Sequence, residues 1–178
     1  VFQKTYYGID NIAISPDGLH TAYIAYQKEA DGKMGVLFVR DEKEFPLTPF
    51  SPLMLDESGG IQGEFITTPI IFSADGAHTA FTAYFRGGED VYKDGTPLKS
   101  YRHKVVDENS KCRFYKAVDS LRFSQNNELL YVVTYPSDTS SHTCVDTLTL
   151  DGEAYDARED IAGNVIAATP NGNIAYVA

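Results

Sequence analysis

The sequence predicts an all-β chain built from repeats of one small antiparallel sheet, and three observations support this fold class. Residues Ser15 to Tyr26 read SPDGLHTAYIAY and residues Ser73 to Tyr84 read SADGAHTAFTAY, so eight of twelve positions are identical without a gap. The repeated segments are rich in Tyr, Ile, Val, Thr and Phe, which favour strands. Pro, Asp, Asn and Gly interrupt them at the same place each time, as tight turns require.

The spacing of the repeats indicates a particular all-β architecture. Two fainter copies begin at Ser124 and Thr169, so the four starting points lie 58, 51 and 45 residues apart. A period near 45 with insertions is typical of the four-stranded blade of a β-propeller and is too long for a leucine-rich repeat. The sequence therefore predicts a β-propeller of four-stranded antiparallel blades, with about three and a half blades in this chain.

Each copy contains the same succession of strands. The first strands are predicted at 9–14, 65–72, 117–123 and 162–168. The third strands are predicted at 36–40, 90–93 and 145–150, each ending at an acidic turn, and a more polar fourth strand follows each of them. Both faces of the second strand are largely apolar between Thr21 and Tyr26, which predicts a sheet covered on both sides.

This plan divides the chain into blades. The predicted units are 1–8 as the outer strand of a preceding blade, 9–64 as blade 1 with a long connection, 65–116 as blade 2 with a basic connection, 117–160 as blade 3 and 161–178 as the first half of blade 4. A propeller closes with about four to eight blades, so the predicted ring is incomplete. Three explanations stay open, in this order of preference: a piece of a longer polypeptide, completion by another chain, and an unusual four-blade closure.

The turn motif also carries a resemblance to a known group. The residues concerned are Ser15-Pro16-Asp17-Gly18 with Ala22-Tyr23, Ser73 with Asp75-Gly76 and Ala80-Phe81, Ser124 with Tyr131, and Thr169-Pro170-Asn171-Gly172 with Ala175-Tyr176. They resemble the WD40-like repeat of TolB-type β-propellers over essentially the whole chain. The chain has no Trp, so the Trp-Asp signature of true WD40 blades is absent. The resemblance implies a periplasmic or secreted scaffold and names no reaction.

Composition excludes several classes of protein. Fifteen basic and 25 acidic residues give a net charge of −10, which argues against a general nucleic-acid binder. Hydrophobic residues make up 43% of the chain, too many for a disordered protein. No apolar run approaches the roughly 18 residues of a membrane helix, so no membrane span is expected.

No residue pattern indicates catalysis. His20 and His78 occupy the same repeat position just after the turn, which indicates a role in the blade rather than metal or acid–base chemistry. The sequence contains no G-x-S-x-G elbow, no Gly-rich phosphate loop and no histidine pair with zinc-site spacing. We therefore expect a protein that is not an enzyme and that has no cofactor and no metal.

The only two cysteines, Cys112 and Cys144, are a candidate disulfide. Spacing alone cannot place their Cα atoms within bonding range, so two unpaired thiols are the alternative. A disulfide would agree with a compartment outside the cytoplasm.

A basic segment stands out from the acidic chain. Residues 99–116 carry a local charge of +4, while the rest of the chain carries −14. The candidate partner-binding residues in it are Arg102, Lys104, Lys111 and Arg113. A basic connection on an acidic body can dock an acidic partner or a neighbouring copy. A solvated loop between blades is the alternative.

These observations lead to three functional hypotheses. The first is a non-enzymatic extracytoplasmic propeller scaffold whose partner is another protein or further copies of itself. The second is the propeller domain of a larger peptidase or carbohydrate-active enzyme. The third is a structural subunit completed by a neighbouring chain in a ring or filament.

Overall fold

The computed structural model describes residues 4–47, 54–55, 61–62, 66–85, 88–102, 118–136, 144–158, 162–168 and 174–177. Its strands, in chain order, are β1 (Gly8–Ile14), β2 (Thr21–Lys28), β3 (Met34–Arg40), β4 (Lys43–Pro46), β5 (Met54–Leu55), β6 (Ile61–Gln62), β7 (Ile66–Thr67), β8 (Ile71–Phe72), β9 (Thr79–Phe85), β10 (Gly88–Lys93), β11 (Thr96–Arg102), β12 (Val118–Phe123), β13 (Leu129–Pro136), β14 (Cys144–Leu150), β15 (Glu153–Arg158), β16 (Ala162–Ala168) and β17 (Ile174–Val177). No helix occurs in these ranges, so the all-β prediction is confirmed for them. They accordingly offer no helix that could cross a membrane.

Three antiparallel sheets follow the predicted four-strand plan. Sheet 1 has the order β1-β2-β3-β4 and sheet 3 has the order β12-β13-β14-β15. Sheet 2 runs from β9 through β10 to β11, and β7 and β8 both pair with β9 on its other side. Sheet 4 consists of β16 and β17, and β5 pairs with β6 separately.

The first strand of sheet 2 differs from the single strand predicted at 65–72. It is divided into β7 and β8, because three residues from Thr68 to Ile70 stand opposite two residues of β9. Pro69 lies in this interruption and has no amide hydrogen to donate to a ladder. At the interruption the Thr82 amide donates a hydrogen bond to the Thr68 hydroxyl at 2.8 Å.

Two other first strands contain a β-bulge that the sequence pattern does not predict. In β1 the residues Asn11 and Ile12 stand opposite Tyr23 alone, and Asn11 has φ 50°. In β12 the residues Ser120 and Leu121 stand opposite Tyr131 alone, and Ser120 has φ 58°. The extra residue bends the strand and turns the following side chains to the other face.

The sheets pack face to face through their apolar side chains. One core lies between sheets 1 and 2 and includes Ile24, Phe38, Phe81 and Tyr92. A second core lies between sheets 2 and 3 and consists of the buried residues Ala80, Val91, Tyr101, Val118, Leu129, Tyr131 and Val133. Sheet 2 therefore contributes to both cores. The cover on both sides that was predicted from Thr21 to Tyr26 concerns sheet 1, and among the described residues that sheet packs against another sheet on one face only.

The first strands of successive sheets are neighbours. β1 lies beside β8, β8 and β9 lie beside β12, and β12 lies beside β16. The tight turns that join first and second strands therefore also come close to one another. Gly76 shows this directly, since a Cβ placed on it would lie 3.3 Å from the Asp17 carboxylate of the preceding sheet.

Candidate functional site

A serine hydroxyl organises the tight turn between the first and second strands in sheets 1 and 2. The Ser15 Oγ accepts the His20 amide at 2.9 Å and donates to the Asp17 carboxylate. The same bonds recur in sheet 2, where the Ser73 Oγ accepts the His78 amide at 2.9 Å and donates to Asp75. These bonds satisfy polar groups that the reversal would otherwise leave unpaired.

An aspartate at the end of the third strand ties that strand to the same turn. Asp94 Oδ1 accepts the Thr79 amide at 2.9 Å, and its Oδ2 lies 2.7 Å from His78 Nδ1. Because a carboxylate can only accept, Nδ1 carries the hydrogen in this bond. Asp41 makes the equivalent bonds in sheet 1, with His20 Nδ1 2.8 Å from its Oδ2.

Serine, histidine and aspartate thus occur together, but they do not form a catalytic triad. A triad needs the serine hydroxyl bonded to the histidine ring nitrogen that faces away from the aspartate. Here Ser73 Oγ is bonded to the main-chain amide of His78 and to Asp75. The histidine ring is bonded to the acidic turn of its own sheet. These groups hydrogen-bond within their own sheet, at a shared position of the repeat.

A cation from sheet 1 docks on the turn of sheet 2, and we call this contact the first junction. The Arg40 guanidinium at the end of β3 donates to the carbonyl oxygens of Gly76 at 2.9 Å and Ala77 at 2.8 Å. It also lies 3.4 Å from Asp94 Oδ1 and stacks over the Phe72 ring at 5.6 Å. Only 18% of the Arg40 side chain is exposed, so these bonds are partly shielded from water.

The second junction repeats this arrangement between sheets 2 and 3. Lys93 at the end of β10 places its Nζ 2.7 Å from Asp151 Oδ1 and 3.1 Å from the Asn127 carbonyl oxygen. The side-chain Nδ2 of Asn127 in turn donates a hydrogen bond to the Asp75 carboxylate at 2.7 Å. Arg40 and Lys93 each directly precede the acidic turn of their own sheet.

A buried carboxylate adds a further tie between sheets 2 and 3. Glu89 is 1% exposed, and its two oxygens accept the Thr82 hydroxyl at 2.6 Å and the Val118 amide at 2.9 Å. Beside it lies a mainly apolar cleft of about 240 Å³ between the first strands, lined in part by Ile71 and Leu121. Across the described ranges, no group of three or more His, Cys, Asp or Glu residues is arranged to hold a metal ion.

Hydrogen bonds lower the pKa of two turn aspartates, Asp75 and Asp41. Donation by Ser73, the Ala77 amide and Asn127 lowers the pKa of Asp75 to about 2. Partial burial raises the pKa of Asp41, but the Thr21 amide and His20 outweigh this effect and leave its pKa below the usual value.

We expect the protein to lose stability on acidification, mainly between about pH 4 and pH 2. The pKa of Asp75 is about 2 in the folded chain and about 4 in an unfolded one. Its contribution is therefore fully present above the unfolded value and is lost as the pH falls through the folded value. Urea unfolding at a series of pH values measures this, and Asp75→Asn should flatten the slope.

Glu153→Gln is the matched control for this prediction, because Glu153 is exposed and lies outside the turn cluster. It should leave the acid slope as in the unmodified protein. Equal slopes in the unmodified protein and Asp75→Asn would contradict the assignment of the acid sensitivity to this turn.

The predicted partner-binding residues lie almost entirely outside the described part of the chain. Arg102 ends β11, the outermost strand of sheet 2. Lys104, Lys111 and Arg113 lie outside the described residues. The basic contact surface therefore stays a prediction.

The predicted disulfide also stays a prediction. Cys144 begins β14, and its side chain is outside the described part. Cys112 lies outside it entirely.

The two junctions are functional contacts that the sequence analysis missed. The sequence does contain a pattern that marks them, since a basic residue precedes the acidic turn in Arg40-Asp41 and again in Lys93-Asp94. The third copy has Leu150-Asp151 instead, which hid the pattern. The partners, moreover, lie on the next sheet, and only the packing of sheets brings them together.

Comparison with known proteins adds little. No family model and no curated sequence matches the chain. One solved structure, titled as a puromycin-hydrolyzing peptidase of Mycobacterium tuberculosis, aligns with 94% of this chain at 15% identity and a TM-score of 0.38. The alignment covers 27% of that longer chain. A likeness this weak carries no argument about fold or activity.

Proposed function

We propose that the chain is a run of β-propeller blades of the WD40-like TolB type. The observation that supports this most is the repeated junction, in which a cation of one sheet bonds the turn of the next. The neighbouring positions of β1, β8, β12 and β16 agree with first strands arranged around one axis. The same junction used twice implies the same rotation from sheet to sheet, as a ring requires.

The proposed role is a non-enzymatic extracytoplasmic scaffold that binds another protein. The serine, histidine and aspartate side chains at the turns are engaged in hydrogen bonds within their own sheets, which supports a scaffold rather than catalysis at these turns. The proposed contact surface is the basic segment 99–116, whose first candidate binding residue, Arg102, ends the outermost strand of sheet 2. Its charge is opposite to that of the rest of the chain, so an acidic protein is the expected partner.

Charge reversal should abolish this binding. The experiment compares the unmodified chain with a variant in which four residues are changed to Glu: Arg102, Lys104, Lys111 and Arg113. Each protein serves as bait for extracytoplasmic proteins of the source organism at low salt. We expect at least a tenfold loss of the captured partner, because the attraction becomes a repulsion.

The matched control changes Lys28 and Lys33, two basic residues outside the segment, to Glu. It should capture as much partner as the unmodified chain. Equal capture by all three proteins would contradict the proposed surface.

A further inference from the structure

One face of sheet 1 exposes apolar side chains. Among the described residues, the large apolar side chains that are at least half exposed all lie between positions 7 and 19: Tyr7, Ile9, Ile12, Ile14 and Leu19. Ile9 and Ile14 pair with Ala25 and Thr21 of β2, on the side away from sheet 2. The middle of this side is covered, because Ala25, Leu37 and Val39 are buried with Tyr6 and Tyr23 packed against them. We call the exposed part along β1, with Leu19 at its turn, the open face.

The position equivalent to Ile14 is covered in the next two sheets. Ile14 directly precedes the turn serine, as Phe72 and Phe123 do in sheets 2 and 3. Phe72 lies under Arg40 of sheet 1, and Phe123 lies 6.0 Å from the Nζ of Lys93 of sheet 2. Both rings also pack against the core on that side. Ile14, by contrast, is 65% exposed.

The open face also has an acceptor for a cation. Asp94 and Asp151 each receive a basic side chain from the preceding sheet. Asp41 stands at the same repeat position, and within the described ranges its partners all belong to sheet 1. The Gly18 and Leu19 carbonyls occupy the positions of the carbonyls that Arg40 binds in sheet 2.

Glu42 limits what can dock beside this acceptor. The equivalent residues Gly95 and Gly152 have positive φ, as Glu42 does at 68°. A Cβ on Gly95 would lie 2.7 Å from the Phe45 ring of sheet 1, which is a clash. A Cβ on Gly152 would lie 3.5 Å from Leu98 of sheet 2, an ordinary contact. Glu42 has a Cβ, so the neighbouring sheet can place an aliphatic side chain beside it, as Leu98 lies beside Gly152, but not an aromatic ring, as Phe45 lies beside Gly95.

We propose that the open face packs against one further sheet of this repeat, supplied by the same polypeptide. Its third strand ends in Lys or Arg, which binds Asp41 and the carbonyls of Gly18 and Leu19. Its fourth strand presents an aliphatic side chain, not an aromatic one, to Glu42. This inference rests on the proposed propeller and identifies the chemistry of the missing neighbour. We assign the further sheet to the same polypeptide because at both junctions the two sheets in contact belong to one chain.

The test adds a candidate sheet to the chain. A copy of residues 66–116, which brings its own Lys93 and Leu98, is placed before Lys4, and amide exchange of residues 12–19 is followed by mass spectrometry. We expect exchange there to slow at least tenfold and the urea midpoint of sheet 1 to rise. Lys93→Glu in the added copy alone should remove both effects.

A second extension tests the role of Glu42. A copy of residues 8–65, which brings Phe45, should leave exchange at 12–19 unchanged on the natural chain. The same added copy should slow amide exchange of residues 12–19 when the natural part of the chain carries Glu42→Gly. Equal protection by this copy with and without that substitution would overturn the proposed selectivity.

Three results would overturn the proposal itself. The first is an added 66–116 copy that stays sensitive to protease or gives no protection at 12–19. The second is protection that survives Lys93→Glu in the added copy. The third is a dimer of the unextended chain in sedimentation that Ile14→Ser dissociates, because the occupant would then be a second copy. In the added copy Arg102, Lys104, Lys111 and Arg113 are changed to Ser. None of these results then depends on the four basic residues tested above, so the two proposals fail separately.

Discussion

Replacing Phe81 with Ala should lower the free energy of unfolding by about 3–5 kcal/mol. Phe81 is fully buried on β9, between sheets 1 and 2. Its ring lies parallel to that of Tyr92 at a centroid distance of 5.0 Å and contacts Phe38 at 5.1 Å. Truncation removes both ring contacts and leaves a cavity where two sheets meet, which costs more than the lost transfer free energy alone.

Urea unfolding followed by circular dichroism measures this effect. Leu19→Ala is the matched control, since Leu19 is 78% exposed and its loss should change stability by no more than about 0.5 kcal/mol. A Phe81→Ala protein within about 1 kcal/mol of the unmodified one would show that sheets 1 and 2 do not share this core.

Asp94→Ala should destabilise the protein by about 2–4 kcal/mol. One carboxylate accepts the amide of Thr79, which is fully buried, the His78 ring and the Arg40 guanidinium. Alanine would leave the buried amide without an acceptor and would remove one of the two carboxylates beside the largely buried Arg40 guanidinium, and each loss costs about 1–3 kcal/mol. Alanine also fits poorly at the φ of 51° found at this position.

Asp94→Asn separates these effects. The amide oxygen of Asn can still accept the Thr79 hydrogen bond, and Asn tolerates the left-handed backbone. We expect less than half of the loss seen with Ala, measured in the same urea experiment. If both substitutions cost the same, charge alone would explain the role of Asp94, and the hydrogen bond to the buried amide would contribute nothing.

The strand plan could be predicted from sequence because two local rules agree at every repeat. Apolar runs rich in β-branched and aromatic residues end at turns such as Pro16-Asp17-Gly18, and a second, acidic turn follows at Asp41 and Asp94. Ser15 and Ser73 mark the same position in each copy, and the structure uses both in the same hydrogen bonds. Local chemistry therefore fixes the strand ends.

The bulges and the junctions could not be predicted in the same way. Asn11 and Ser120 adopt positive φ because the first strand must take one extra residue opposite an aromatic side chain, and neither residue type demands that conformation. Arg40 looks like an ordinary charged residue at a strand end. Its partners, the Gly76 and Ala77 carbonyls, carry no side-chain signal. Only the stacking of two sheets creates the site.

The central claim is that these sheets are successive blades of one ring. A crystal structure of the native polypeptide at its full mass tests this most directly. We predict a closed ring with β1, β8, β12 and β16 facing the axis, and a Lys or Arg of a further sheet bound to Asp41. An open stack of sheets, or a different fold seated on Ile12 and Ile14, would contradict the claim.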